Sequence, residues 1–272
     1  MSQENPRHVT INLHPKHRAV FVHGYGGSSK NAEDQAHTLS TYVYSHSPLD
    51  SSKITVVLNK AKTFHDSCAK ATNCLLGCIW EIGSRLQRSG SNCDECVELV
   101  VFCHSNGAKP VQKALAPDFL TELCNVLDIP QMEIASFMGS IRKKIVVISF
   151  GGVCYISDDY AKVVMNFCST SDNFSKFCHY LKVGDQPKDG ETDRKIYVRD
   201  PATPSEIKKV PAGILGSIAA VGCISGAGVD LAAKSSGTSD ALRHPHYLEN
   251  ILKNRGMIMY IREVLGLSER SN

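Results

Sequence analysis

With 272 residues, 42% of them hydrophobic and 21% charged, the chain can bury one sizeable core and is most simply a single domain spanning 1–272. A formal net charge of +3, with no run of lysine or arginine, gives no reason to expect a nucleic-acid partner. Eleven cysteines, odd in number and scattered through apolar runs, read as reduced buried thiols of a cytoplasmic protein rather than a disulfide framework, and MSQENPRHVT lacks the basic start and apolar core of a Sec-type signal peptide.

In chain order, the apolar β-rich run RAVFVH at 18–23 predicts a buried strand, and it opens into the glycine-rich loop GYGGSS at Gly24 to Ser29. A helical pattern follows over 31–44, then a strand at 54–59 (ITVVLN) and a helix over 71–88. Residues 97–103 form a nearly continuous apolar run, as expected of a strand covered on both faces. They meet His104, Ser105, Asn106 and Gly107, after which Val111, Ala114 and Leu115 mark one face of a helix over 108–115. Pro110 fits only near the start of such a helix, where its missing amide costs little.

Further helices are predicted over 119–127, 132–144 and 159–168, with strands at 145–150 (IVVISF), 177–183 (FCHYLKV) and 195–199. A last helix is expected from 246 to 265. Strands alternating with helices define an α/β class, a mostly parallel sheet with helices on both faces. No internal repeat is visible.

The sequence CHSNG at 103–107, set between strand and helix, resembles the GxSxG nucleophile elbow of the α/β-hydrolases in the GHSxG form of lipases and esterases, with Cys103 where the family usually has glycine. HGYGGSS at 23–29 resembles the HG loop that supplies half of the oxyanion hole in that family. The cysteine content and the ISFGG stretch at 148–152 are also similar to hydrolase-like proteins of chlamydiae. The resemblance implies an α/β-hydrolase fold with a small insertion or lid, and a serine acyl hydrolase acting on an ester or lipid-like substrate. It implies Ser105 as nucleophile and the amides of Tyr25 and Asn106 as oxyanion donors.

The family order of serine, acid, histidine puts the remaining triad members after Ser105. HPHYLEN at 244–250 opens the last predicted helix, and His244 or His246 is the expected base. Asp185, following the predicted strand at 177–183, is the expected acid, with Asp158, Asp159 and Asp200 as alternatives. The acid's role is to hold the imidazole in one tautomer and to stabilise imidazolium.

Neither metal nor organic cofactor is expected. Cys93 and Cys96 form a lone CxxC, Cys74 and Cys78 the other close pair, and the remaining histidines show no ligand spacing. GYGG is not GxGxxG and no lysine follows at P-loop spacing, which argues against a nucleotide.

Residues 211–229, PAGILGSIAAVGCISGAGV, contain no charge and many glycines. They read as part of a lid at 204–240 over an acyl pocket, or as a membrane-contacting segment, since the length approaches the roughly 20 residues that span a bilayer. The alternative from another class is a catalytically silent α/β-hydrolase fold serving as a binding or membrane-associated scaffold.

Overall fold

A computed structural model describes residues 11–24, 29–45, 54–60, 69–89, 96–169, 196–198, 248, 252 and 254–267. The β-branched and aromatic runs of the sequence become strands β1 (Leu13–Val22), β2 (Ile54–Val57), β3 (Val97–His104), β4 (Ile145–Phe150), β5 (Val163–Ser169) and β6 (Ile196–Val198). They form one sheet in the order β2-β1-β3-β4-β5-β6, every neighbouring pair parallel. Helices α1 (Ser29–Tyr44), α2 (Ala69–Ser89), α3 (Ala108–Leu115), α4 (Pro117–Val126), α5 (Ile134–Arg142) and α6 (Arg255–Val264) cover it.

Alternation along the strands explains the apolar runs of β3, β4 and the second half of β1. Val20, Val22, Leu99, Val101, Cys103, Ile145 and Val147 face α2 to α5, meeting Leu75, Ile79, Val111, Leu120 and Ile141. Ala19, Phe21, Val100, Phe102, Val146, Ile148 and Phe150 face the other way, onto Leu39 and Val43 of α1 and Ile258 and Ile261 of α6. Phe102, Phe150 and Phe167 stack across three adjacent strands, with ring centroids 6.5 and 5.8 Å apart. With the central strands β3 and β4 and the second half of β1 buried on two sides, α/β is the observed class.

Two sequence expectations need correction. The helix expected over 159–168 is a 3-10 turn at Asp158–Tyr160 followed by strand β5. Val163, Val164 and Phe167 complete the open edge of β4 in the register Val146↔Val163 to Phe150↔Phe167, so sheet pairing overrides the helical spacing. The last helix is not continuous over 246–265 either. Leu248 and Leu252 are helical, but Asn254 leaves the helical region, and its Oδ1 accepts a hydrogen bond from Met257 N at 3.1 Å to cap α6. The strand expected at 177–183 and the lid at 204–240 lie outside the described residues. Among the described residues, no helix is long and apolar enough to cross a membrane.

β1 is tied to α1 by a buried polar pair. His17 Nε2 and Tyr44 Oη lie 3.3 Å apart, while His17 Nδ1 lies 3.0 Å from His14 O and so donates to it. Burial lowers the His17 pKa from its ordinary 6.5, outweighing the opposing effect of the carbonyl, and burial likewise lowers that of His23. The unfolded chain therefore binds more protons than the folded one below pH 6.5. Stability is fully present above that pH and declines as pH falls toward the folded-state values. Urea unfolding from pH 8 to 5 is expected to show this decline, and His17→Leu to make it shallower.

Candidate active site

The sheet order reverses direction between β1 and β3. The chain leaves β1 toward β2 through α1 on one face, then returns past β1 to β3 through α2 on the other. In open parallel sheets the loops at such a switch point diverge and leave a crevice at the carboxyl edge. The loop starting at Gly24 leaves β1 there, and Ser105 leaves β3 beside it.

Ser105 has φ 55°, in the left-handed region that a residue with a Cβ occupies at a cost of about 1–2 kcal/mol. It opens a single 3-10 turn, Ser105–Gly107, that runs directly into α3. The strained turn is held from several sides. Asn59 Nδ2, just past β2, donates to Asn106 O at 3.1 Å, and Val153 N, in the loop after β4, donates to Ser105 O at 3.2 Å. That loop is itself fixed: Gln112 Nε2 of α3 donates to Tyr155 O at 2.7 Å, and Asn166 of β5 bonds both the carbonyl and the amide of Ile156.

Two glycines let the pieces meet. A Cβ on Gly24 would lie 2.9 Å from Ser105 Cβ and 3.4 Å from its Oγ, so the backbone at Gly24 passes directly against the serine side chain. A Cβ on Gly107 would lie 2.2 Å from Val22 O, so the turn into α3 packs on the end of β1 with no room for a side chain.

Cys103, in the position where a glycine would be expected, is accommodated. Its side chain is wholly buried among α2 and α3 residues and hydrogen-bonds Ser149, and burial pushes its pKa up to about 12. It is a packed thiol held in its protonated form.

The polar surroundings of Ser105 are buried. Ser105 is 7% exposed and Asn106 is fully buried. Neither polar atom of the Asn106 side chain, nor Nε2 of His23, has a hydrogen-bond partner among the described residues. His23 Nδ1 lies 2.9 Å from Gly24 O, and its ring sits edge-on to those of Phe21 and His104, with centroids 6.0 and 6.5 Å away.

Of the residues expected from sequence, Ser105 and Asn106 stand together at this edge, with Gly24 of the HG loop against them. Tyr25, Asp185, Asp200, His244 and His246 lie outside the described residues. Asp158 and Asp159 stand in the 3-10 turn leading into β5, where Asp158 Oδ1 accepts from Tyr155 Oη at 3.4 Å and Ser157 Oγ accepts from Asp159 N. Asn59, Gln112, Ser149 and Asn166 were not singled out by sequence. The available signal was a polar residue in or just after a strand-like run: Asn166 lies in the middle of β5 and Asn59 two residues past β2.

No group of three or more histidine, cysteine or acidic residues is placed to hold a metal among the described residues. Comparison of the chain with protein-family models, with curated proteins and with solved structures returns no match.

Proposed function

We propose that this chain is a serine acyl hydrolase of the α/β-hydrolase kind, cleaving an ester or lipid-like substrate through an acyl-enzyme. The observation that carries the reading is the left-handed backbone of Ser105, a non-glycine residue held in strain between a central parallel strand and a helix. Strain at a non-glycine residue persists only where its surroundings impose it, and it concentrates at functional sites. The contact between Gly24 and the serine side chain supports the same reading, because a developing oxyanion needs backbone amides close to the nucleophile with no Cβ between.

In this mechanism Ser105 Oγ attacks the substrate carbonyl carbon as His244 or His246 removes its proton. The tetrahedral oxyanion is held by the amides of Asn106 and Tyr25, and the same imidazole returns the proton to the leaving alkoxide. Water then repeats the attack on the acyl-enzyme and releases the acid. Asp185 orients the base. No cofactor takes part in these steps. The charge-free, glycine-rich sequence of 211–229 suits a lid in this reading.

Fluorophosphonate labelling tests the reading, since only an activated serine reacts. The expected result is a single modified peptide containing Ser105, absent after Ser105→Ala. An unlabelled wild-type protein would leave the silent scaffold as the better account.

A further inference from the structure

At the edge of the sheet opposite Ser105, a cavity of about 410 Å³ opens between the first half of β1, the end of α2 and the beginnings of β3 and β4. Glu98 lines it, and the seven residues from Glu98 to Ser105 along β3 place it about 23 Å from the elbow. Four cationic side chains, Lys16, Arg18, Arg85 and Lys144, face two carboxylates, Glu81 and Glu98. Arg18 Nη2 pairs with Glu81 at 2.7 Å, Arg85 pairs with Glu98, and Lys144 Nζ lies 3.8 Å from the same Glu98.

A purely structural ion-pair network would balance its charges, because uncompensated charge in a sheltered place is costly. Among the described residues, this one holds an excess of two positive charges around an open volume. Lys144, whose side chain is only 6% exposed, shares Glu98 with Arg85, so one cation belongs to the buried wall of the cavity. Arg18 and Arg85 keep about half of their side-chain surface accessible, and each guanidinium carries five donors, more than one carboxylate can occupy. Planar forks of this kind suit carboxylate and phosphate oxygens. The C-terminal dipole of α2, which ends at Ser89 beside the cavity, opposes an anion. Arg85 and Arg88 in its last turns offset that dipole, Arg88 donating to Ser84 O.

We propose that this cavity is a second binding site, separate from the serine elbow, for a small organic dianion of the phosphate monoester or dicarboxylate class. Two negative charges match the excess, and the volume admits a few carbon atoms beside the charged groups. The structure also supplies a reporter. Trp80, the single tryptophan of the chain, is 47% exposed and lines an adjoining groove that shares Glu81 and Arg85 with the cavity.

The test is a titration of the full chain with glycerol 2-phosphate and with succinate, followed by Trp80 fluorescence and, independently of that signal, by equilibrium dialysis. Saturable binding of at least one dianion is expected, with none for glycerol, and the dianion that saturates identifies the class. Arg18→Gln and, separately, the exposed Lys16→Gln should each weaken it by about tenfold, the loss of one charge-assisted hydrogen bond. Ser105→Ala should leave it unchanged, which separates this site from the proposed hydrolase. No saturation by either dianion in dialysis, or equal affinity in wild type and Lys16→Gln, overturns the proposal.

Discussion

Ser105→Ala is expected to abolish turnover of a short p-nitrophenyl ester, a loss on the order of a millionfold if Ser105 is the acylated nucleophile. Folding should survive, because the hydroxyl adds little to the packing and the turn is held through backbone carbonyls by Asn59 and Val153. Ser105→Gly supplies the second measurement. It removes the same hydroxyl but also relieves the left-handed strain at φ 55°, so it should be more stable than Ser105→Ala by about 1 kcal/mol. Thermal unfolding of the two variants, read beside their turnover, separates chemistry from strain. Wild-type turnover in Ser105→Ala would remove the serine from the mechanism. Equal stability of the two variants would mean that the turn is not strained in solution.

The strand, turn and helix around Ser105 were legible in the sequence because all of their signals are local. A continuous apolar run, a serine, a glycine two residues on and a proline early in the helix fall within 97–110, and the structure places strand, turn and helix over those residues. The bracing of the turn was not legible. Asn59 reaches Asn106 across 47 positions of sequence, and only the neighbouring of β2, β1 and β3 brings them together.

β5 is not legible in the sequence for a related reason. AKVVMNFCS offers an apolar spacing that suits a helix as well as a strand, and the deciding partner is the open edge of β4. The last helix was read as one because its apolar periodicity continues through Leu248, Leu252, Met257 and Ile261, all of which do face the same core. The interruption lies in the cap of Asn254, a single side chain to backbone bond that periodicity does not register. Cys103 departs from the glycine of the motif, and in three dimensions it fills a fully buried position beside Ser149.

Gly107→Ala is expected to be the most destabilising conservative change in the described fold, by about 3 kcal/mol or more. The added Cβ would sit 2.2 Å from Val22 O and 3.0 Å from His23 O, and both obstacles are backbone. A flexible side chain could rotate away, but Val22 O belongs to the central strand β1, paired on one side with β2 and on the other with β3. Relief would require α3 to lift from the end of β1, which would also pull Ser105 from Gly24. The variant should therefore lose ester turnover and fluorophosphonate labelling together with stability. Gly77→Ala in α2 and Gly139→Ala in α5 are the controls, since a Cβ at either meets nothing within 4 Å. There the exchange should stabilise its helix by about 0.5–1 kcal/mol, because alanine is the better helix former. Urea unfolding of the three variants checks both signs. A Gly107→Ala protein as stable as wild type would mean that the turn does not pack on β1 as described.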